Sequence, residues 1–277
     1  MTDILDVFIK PFEYSFMVRA LVVSVCVGVM CPLLGVYVVN RGLGFMGDAM
    51  AHSVMPGMVL AFILGISPFL GAIPTGIAVA LAIGYLGRKF RVSEDTSLGI
   101  MFAALFSIGL VMISLSKGIS VRVEDILLGQ ILAVSSIDVV VTLSLAVLVL
   151  IVIGVLHRQL VFTSFDSLGA TVIGLPTRLL DYLLLVSLAL VIVVSLQAVG
   201  IVLVVAMLIT PAAAGALLVR RFTRVMLVSV VVGVFSAVCG LYAAYHLNIP
   251  SGPSMTLVAT AIFFLALTYN QIVTRRS

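Results

Sequence analysis

Nine apolar runs, each near the length needed to cross a lipid bilayer, follow one another along this chain with short polar breaks between them. A membrane-spanning helix needs about 20 mostly apolar residues. Runs that meet this test fall at roughly 15–39, 48–65, 68–87, 97–115, 137–156, 179–197, 199–219, 224–246 and 254–271. In hydrocarbon, backbone N–H and C=O groups must find partners within the segment, so runs of this length span as helices. Composition agrees, with 63% of the 277 residues hydrophobic and 9% charged, against about 25% charged in a soluble domain. The expected class is an all-α polytopic membrane protein with about nine transmembrane helices, organised as a single domain over residues 1–277. Soluble enzymes, secreted disulfide scaffolds and disordered chains are excluded.

Two boundaries need more than counting. The second run is short if it begins at Asp48, so its helix is expected to start about a turn earlier. At Gln197-Ala198-Val199-Gly200 two runs touch almost without a loop. One helix of about 40 residues would be about 60 Å long and overshoot the bilayer, so a tight hairpin is expected there. Cys26, Cys31 and Cys239 lie inside apolar runs with no C-x-x-C spacing, and read as small core hydrophobes. Met1–Glu13 is mixed in charge and lacks the basic start of a cleavable signal peptide.

Orientation follows from the basic residues, which gather on the cytoplasmic side of short loops. Nine spans with the C-terminus inside put eleven of the fifteen lysines and arginines in inner segments, including Arg41, Arg88, Lys89, Arg178 and Arg220; Lys10, Arg19, Lys117 and Arg122 are left outside. The expected topology is therefore N-terminus out and C-terminus in. The net charge of +4 reflects this loop placement, not a nucleic-acid partner. Two interludes break the pattern. Residues 122–136 are amphipathic and too short to span, and suggest an outer re-entrant or interfacial helix. Residues 160–177 form the longest inner segment, readable as a short helix docking on a partner or as one lying on the membrane surface.

Most acidic residues stand at helix ends. Glu94, Asp95, Asp138 and Asp181 are read as ordinary openers of spans, where a carboxylate favours the helix dipole. Asp48 and His52 differ, because they stand at the head of an apolar span. Their i,i+4 spacing puts both on one helical face, and ionisable groups within a span ordinarily face a pathway or the bundle interior. A carboxylate with an imidazole suits manganese, zinc or ferrous iron. The plainer alternative is that Asp48 caps the helix and bonds His52. Small residues surround the pair, and Pro56-Gly57 loosens the helix just beyond. Two side chains cannot fill four to six coordination positions, so water, carbonyls or a second copy of the chain would supply the rest. Gln197, Thr210 beside Pro211, His246 and Asn248 are further candidates for a pathway or an outer gate. His157 reads as a loop histidine. No G-x-x-x-x-G-K-[ST] or H-E-x-x-H occurs, which argues against nucleotide hydrolysis by this chain and against an intramembrane zinc protease.

Three segments carry a resemblance: GLGFMGDAMAHSVMPG at 42–57, VVSLQAVGIVLVVAMLITPAAAGALL at 193–218 and HLNIPSGPSM at 246–255. They resemble the permease subunits of manganese, zinc and iron ABC importers, the metal-chelate ABC-3 type, in order and over nearly the whole chain. Ala51 stands where many relatives carry Ser. The resemblance implies a type II importer permease that works as a homodimer with a cytoplasmic ABC ATPase and an outer solute-binding protein. It implies no permanently bound cofactor: the divalent metal is cargo, and ATP acts only through the partner. By position, Asp48 and His52 match the family's metal pair. The stretch with Phe165, Asp166, Leu168, Gly169, Ala170, Gly174 and Pro176 matches its ATPase-coupling helix. The competing class is an ion-coupled secondary cation transporter that uses Asp48 as a proton or sodium site.

Overall fold

A computed structural model describes residues 13–90, 92–116, 131 and 134–274. The regular elements of the described residues are all helical: α1 (Ser15–Asn40), α2 (Met46–Ser53), α3 (Met55–Ile63), α4 (Pro68–Phe90), α5 (Glu94–Leu115), α6 (Ser136–Phe165), α7 (Ser167–Val172), α8 (Thr177–Val199), α9 (Ile201–Leu218), α10 (Phe222–Leu247) and α11 (Ser251–Thr274). Among the described residues nine helices are long and apolar enough to span a membrane, with α2 and α3 together counting as one. The all-α polytopic expectation is met. Leu115, Ile137, Val155 and Leu265 are each more than two-thirds exposed, which suits surface covered by lipid tails.

The elements differ from the sequence reading in two places. The second span starts at Met46 but breaks at Val54. Pro56 has no N–H to donate to the His52 carbonyl one turn back, and the Val54 N–H turns to that carbonyl instead. The fifth span runs on to Phe165 as a 30-residue helix, which puts His157 in a helix, not in the expected loop. Hydropathy marks where a helix leaves the hydrocarbon, and the arginine and glutamine that follow His157 are good helix formers. The contact between the sixth and seventh runs is a one-residue break at Gly200, with φ +85° and ψ 165°, a backbone state that glycine reaches at little cost. The interfacial helix expected over 122–136 lies outside the described residues, apart from Ile131 and 134–136.

The described residues form two compact units, the first drawn from Met1–Val36, Glu124–Ala146 and Ala198–Ser277, the second from Tyr37–Val123 and Val147–Gln197. In the first, α9, α10 and α11 pack on one another and on α1 by close backbone approach. A Cβ at Gly35 would overlap the Leu208 carbonyl, and Gly28 faces Gly233 across α1 and α10. Lipid gives helices no hydrophobic reason to associate, so small residues that let backbones touch supply dispersion contact instead. The serines here return their hydroxyls to their own helix, as Ser229 does to Val225 O at 2.7 Å and Ser236 to Val232 O at 2.7 Å. Ser254 instead donates across to Gly240 O at 2.9 Å, joining α11 to α10.

The second unit packs α2, α3, α4, α5 and α8. Gly57 of α3 lies against Gly71 of α4, while Gly76 and Gly84 of α4 meet Val193 and Tyr182 of α8. Gly109 seats α5 on Met55. These contacts hold α3 on α5 and bring the end of α4 to the start of α8; α2 also packs on α5, and these are the two places where polar side chains converge.

Candidate functional site

The chain enters α2 through a tight turn. Gly42 adopts φ +71°, Leu43 N–H bonds Val38 O at 2.9 Å, and Met46 N–H bonds Leu43 O at 2.9 Å. Phe45 holds the cap position with no side-chain cap bond, so Asp48 does not cap this helix. It is the third helical residue, placed where the dipole favours a carboxylate. Asp48 Oδ1 lies 3.5 Å from His52 Nε2, with side chains 35% and 21% exposed. Ala49, Met50, Ala51 and Ser53 are buried, so the pair occupies the face of α2 that remains partly open.

Aromatic rings wall one side of the pair. The His52 ring lies edge-on to Phe106 at 5.1 Å and to Phe102 at 5.7 Å between centroids. Phe102 and Phe106, one turn apart on α5, stack at 5.7 Å, and Phe45 meets Phe102 edge-on at 5.8 Å. Such edge contacts limit how the imidazole rotates. Among the described residues no group of three or more His, Cys, Asp and Glu side chains could hold a metal. Asp48 and His52 could give an ion two ligands from a partly open face; the other positions would fall to water, backbone or a second chain.

Of the further candidates, Gln197 stands in the last turn of α8, its Nε2 buried without a hydrogen-bond partner among the described residues. Thr210, His246 and Asn248 belong to the first unit. Thr210 precedes Pro211 inside α9, which continues through the proline. His246, in the last turn of α10, is exposed beside the rings of Tyr245 at 5.3 Å and Tyr242 at 6.4 Å. Asn248 ends α10 in the left-handed conformation, φ +52°, a helix-ending role that asparagine tolerates well.

Residues 160–177 resolve into the end of α6, the six-residue α7 and a turn. Asp166 caps α7 by accepting the Gly169 N–H at 2.7 Å. Gly174 at φ +82° closes it, with Gly174 N–H bonding Thr171 O at 3.1 Å and Leu175 N–H bonding Ala170 O at 3.0 Å. This pair of bonds is a Schellman termination. Pro176 then leads into α8, where its carbonyl accepts the Leu180 N–H at 3.1 Å. Ala170 is fully buried, while Phe165, Leu168, Val172 and Ile173 stand 63–86% exposed. A helix this short, capped at both ends, presents a firm apolar ridge.

The sequence reading missed a second polar centre. Asp181 Oδ1 accepts from Arg41 Nη2 at 2.9 Å, and its Oδ2 accepts from Arg88 Nη2. Arg41 Nη1 also lies 3.7 Å from Glu94 Oε1. In sequence, Arg41 and Arg88 stand out only as inner cations, and Asp181 and Glu94 only as helix openers. The available signal was their number: in a chain with 9% charged residues, four charges at the ends of neighbouring helices are candidates for each other.

Residues 13–270 match the ABC 3 transport family. The chain is 41% identical over 270 residues to the manganese transport system membrane protein MntC of Halalkalibacterium halodurans, covering 98% of this chain and 92% of that one. It is also 41% identical over 263 residues to the chelated iron transport system membrane protein YfeD of Yersinia pestis, covering 95% and 88%. Among solved structures, a chain of PsaBC from Streptococcus pneumoniae, in complex with Fab, superposes with a TM-score of 0.82 at 35% identity, over 95% of each chain.

Proposed function

From the premise that this chain belongs to the ABC 3 transport family, we propose that it is the permease of an ATP-driven importer of divalent metal, with manganese the first candidate and zinc or iron the others. The observation that supports this reading is the Asp48–His52 pair, 3.5 Å apart on the partly open face of a membrane-embedded helix. A hard carboxylate and a borderline imidazole suit manganese. All three cysteines belong to the first unit, which leaves the second unit without a thiolate for a softer ion. Two ligands hold a cation weakly enough to release it.

The chain works as one permease domain in the cytoplasmic membrane of a bacterium, N-terminus out and C-terminus in. A second copy completes the path. An outer solute-binding protein delivers the ion, and a separate cytoplasmic ATPase, docked on the ridge of Phe165, Leu168, Val172 and Ile173, supplies the work. The relatives named as manganese and iron transport proteins support the cargo class. Gln197, with its buried unpartnered amide, and Thr210, His246 and Asn248 are assigned to the path or its outer gate.

Reconstitution tests this reading. Proteoliposomes holding the permease, ATPase and binding protein should accumulate manganese only with ATP, and Asp48→Ala or His52→Ala should abolish accumulation. Uptake by the permease alone, driven by an ion gradient, would establish the secondary-transporter reading in its place.

A further inference from the structure

The segments that meet at Asp181 are those that lead to the metal pair. We propose that Arg41, Asp181, Arg88 and Glu94 form a joint that passes movement of the coupling segment to the Asp48–His52 helix, with Asp181 the central positioning residue. The proposal rests on the assignments of the coupling segment and the metal pair made above.

On the coupling side, Asp181 lies one turn into α8, the helix that follows α7. Arg88 donates to both the Asp181 carboxylate and the Thr177 carbonyl, the latter at 3.4 Å. The Thr177 hydroxyl is 3.4 Å from that of Thr171 in α7. The end of α4, the start of α8 and the coupling helix are thereby tied at one point. Ser167 of α7 lines a cavity of about 240 Å³ with Arg88, Glu94, Asp181 and Tyr182, which gives α7 space to shift against the ion pairs.

On the metal side, Arg41 stands in the turn between α1 and α2, seven residues before Asp48. That turn has little slack. Arg41 N–H bonds Tyr37 O at 3.0 Å, and the bonds from Leu43 and Met46 described above hold the rest of it. A displacement of the Arg41 guanidinium therefore reaches the first turn of α2. Arg41 also pairs with Glu94, the first residue of α5, the helix that carries Phe102 and Phe106 against His52. One carboxylate thus links the coupling segment to the helix that bears the pair and, through Arg41, to the helix that walls it.

The joint stays closed because it is largely shielded from water. The Arg41 and Asp181 side chains are 13% and 20% exposed, and separating them would strand a poorly solvated charge on each side. Both oxygens of Asp181 are engaged, so the Arg41 and Arg88 segments move with it.

The test uses the complete assembly of permease, ATPase and binding protein in proteoliposomes, read as manganese transported per ATP hydrolysed. Asp181→Asn and Arg41→Gln should each lower that ratio about ten-fold, a size typical of coupling between sites. Co-purification of the ATPase and manganese binding by the solubilised permease should stay within about two-fold of wild type, well inside that coupling effect. The double variant should lose no more than the worse single one, because each residue acts through the other. Should Asp181→Asn fail to assemble, Arg41→Lys and Glu94→Gln keep the question open to test, with smaller losses in the ratio and undiminished docking expected. An unchanged ratio in the assembled variants overturns the joint. So does loss of manganese binding by Asp181→Asn permease alone, which would make Asp181 part of the metal site. Failure of the underlying reading looks different: Asp48→Ala would keep its uptake, or charge at Leu168 would leave ATPase docking intact.

Discussion

The two units solve the same problem, packing helices in lipid, by different chemistry. The first does it with backbone contact. Gly28 on Gly233 and Gly35 on Leu208 bring helices together, and the polar hydroxyls of Ser229 and Ser236 satisfy their own helix. The second also uses glycine contacts, yet every ion pair described above lies within it. Charge in a membrane protein is costly and is kept where it performs a task. The contrast places the proposed metal pair and all of these ion pairs in the second unit, with close backbone packing and the candidate gate residues Thr210, His246 and Asn248 in the first.

Two of the three histidines sharpen the point. His52 and His246 both have aromatic neighbours at similar distances. His52 adds a carboxylate at 3.5 Å and is mostly buried, whereas His246 is exposed. The largest expected effect follows: His52→Ala or Asp48→Ala should cut manganese uptake by at least about 100-fold, since even partners one step removed from a metal are worth 10- to 100-fold. His246→Ala should cost less. Equal losses at both histidines, measured as initial uptake rates in proteoliposomes, would erase the division between the units.

Next in size is docking. Phe165→Glu or Leu168→Glu places a charge on an apolar ridge that a partner would desolvate, and ATPase affinity should fall by at least about ten-fold. Membrane insertion should not change, because Leu168 lies in α7, which spans nothing, and Phe165 is the last residue of a 30-residue helix that is longer than the hydrocarbon requires. Pull-down of the ATPase at wild-type yield from both variants would assign the ridge to the membrane surface.

These sites were legible in the sequence to different degrees, for physical reasons. The nine spans were readable because bilayer thickness imposes a length on apolar runs, and Asp48 with His52 because helical periodicity alone puts i and i+4 on one face. The break at Val54 was half visible. Pro56 announced a lost hydrogen bond, but whether a helix bends or divides there depends on what the freed carbonyl finds, here the Val54 N–H. The extension of α6 past His157 was hidden because polar residues end a hydrophobic run without ending a helix. The Asp181 centre was invisible to local reading. Its partners lie 140 and 93 residues away in sequence, and only the packing of α4 against α8 through Gly84 and Tyr182 brings them together.

A third expected effect falls on stability and belongs to the first unit. Gly35→Ala forces a methyl group into the Leu208 carbonyl, and overpacking of this kind costs about 1–3 kcal/mol. The solubilised permease should unfold at lower temperature, while uptake per folded molecule stays at wild type. Unfolding at the wild-type temperature would show that α1 and α9 can separate freely.

The smallest effect probes the wall beside the proposed metal pair. Phe106 is the nearer of the two rings to His52, at 5.1 Å against 5.7 Å for Phe102. Phe106→Leu keeps the site apolar and removes the edge contact, so the imidazole gains rotational freedom that metal binding must then take away. Aromatic contacts of this geometry are worth about 0.5–1.5 kcal/mol, which corresponds to a loss of roughly two- to twelve-fold in manganese affinity. Phe102→Leu should cost less, and the double variant at least as much as Phe106→Leu. The matching control in the first unit is Tyr245→Leu, whose ring meets His246 at 5.3 Å; manganese binding at the Asp48–His52 pair should not notice it. The measurement is manganese titration of the solubilised permease without its binding protein. Unchanged affinity in the double Phe variant would reduce the wall to packing, and a loss in Tyr245→Leu equal to that in Phe106→Leu would show that the effect is not specific to the wall.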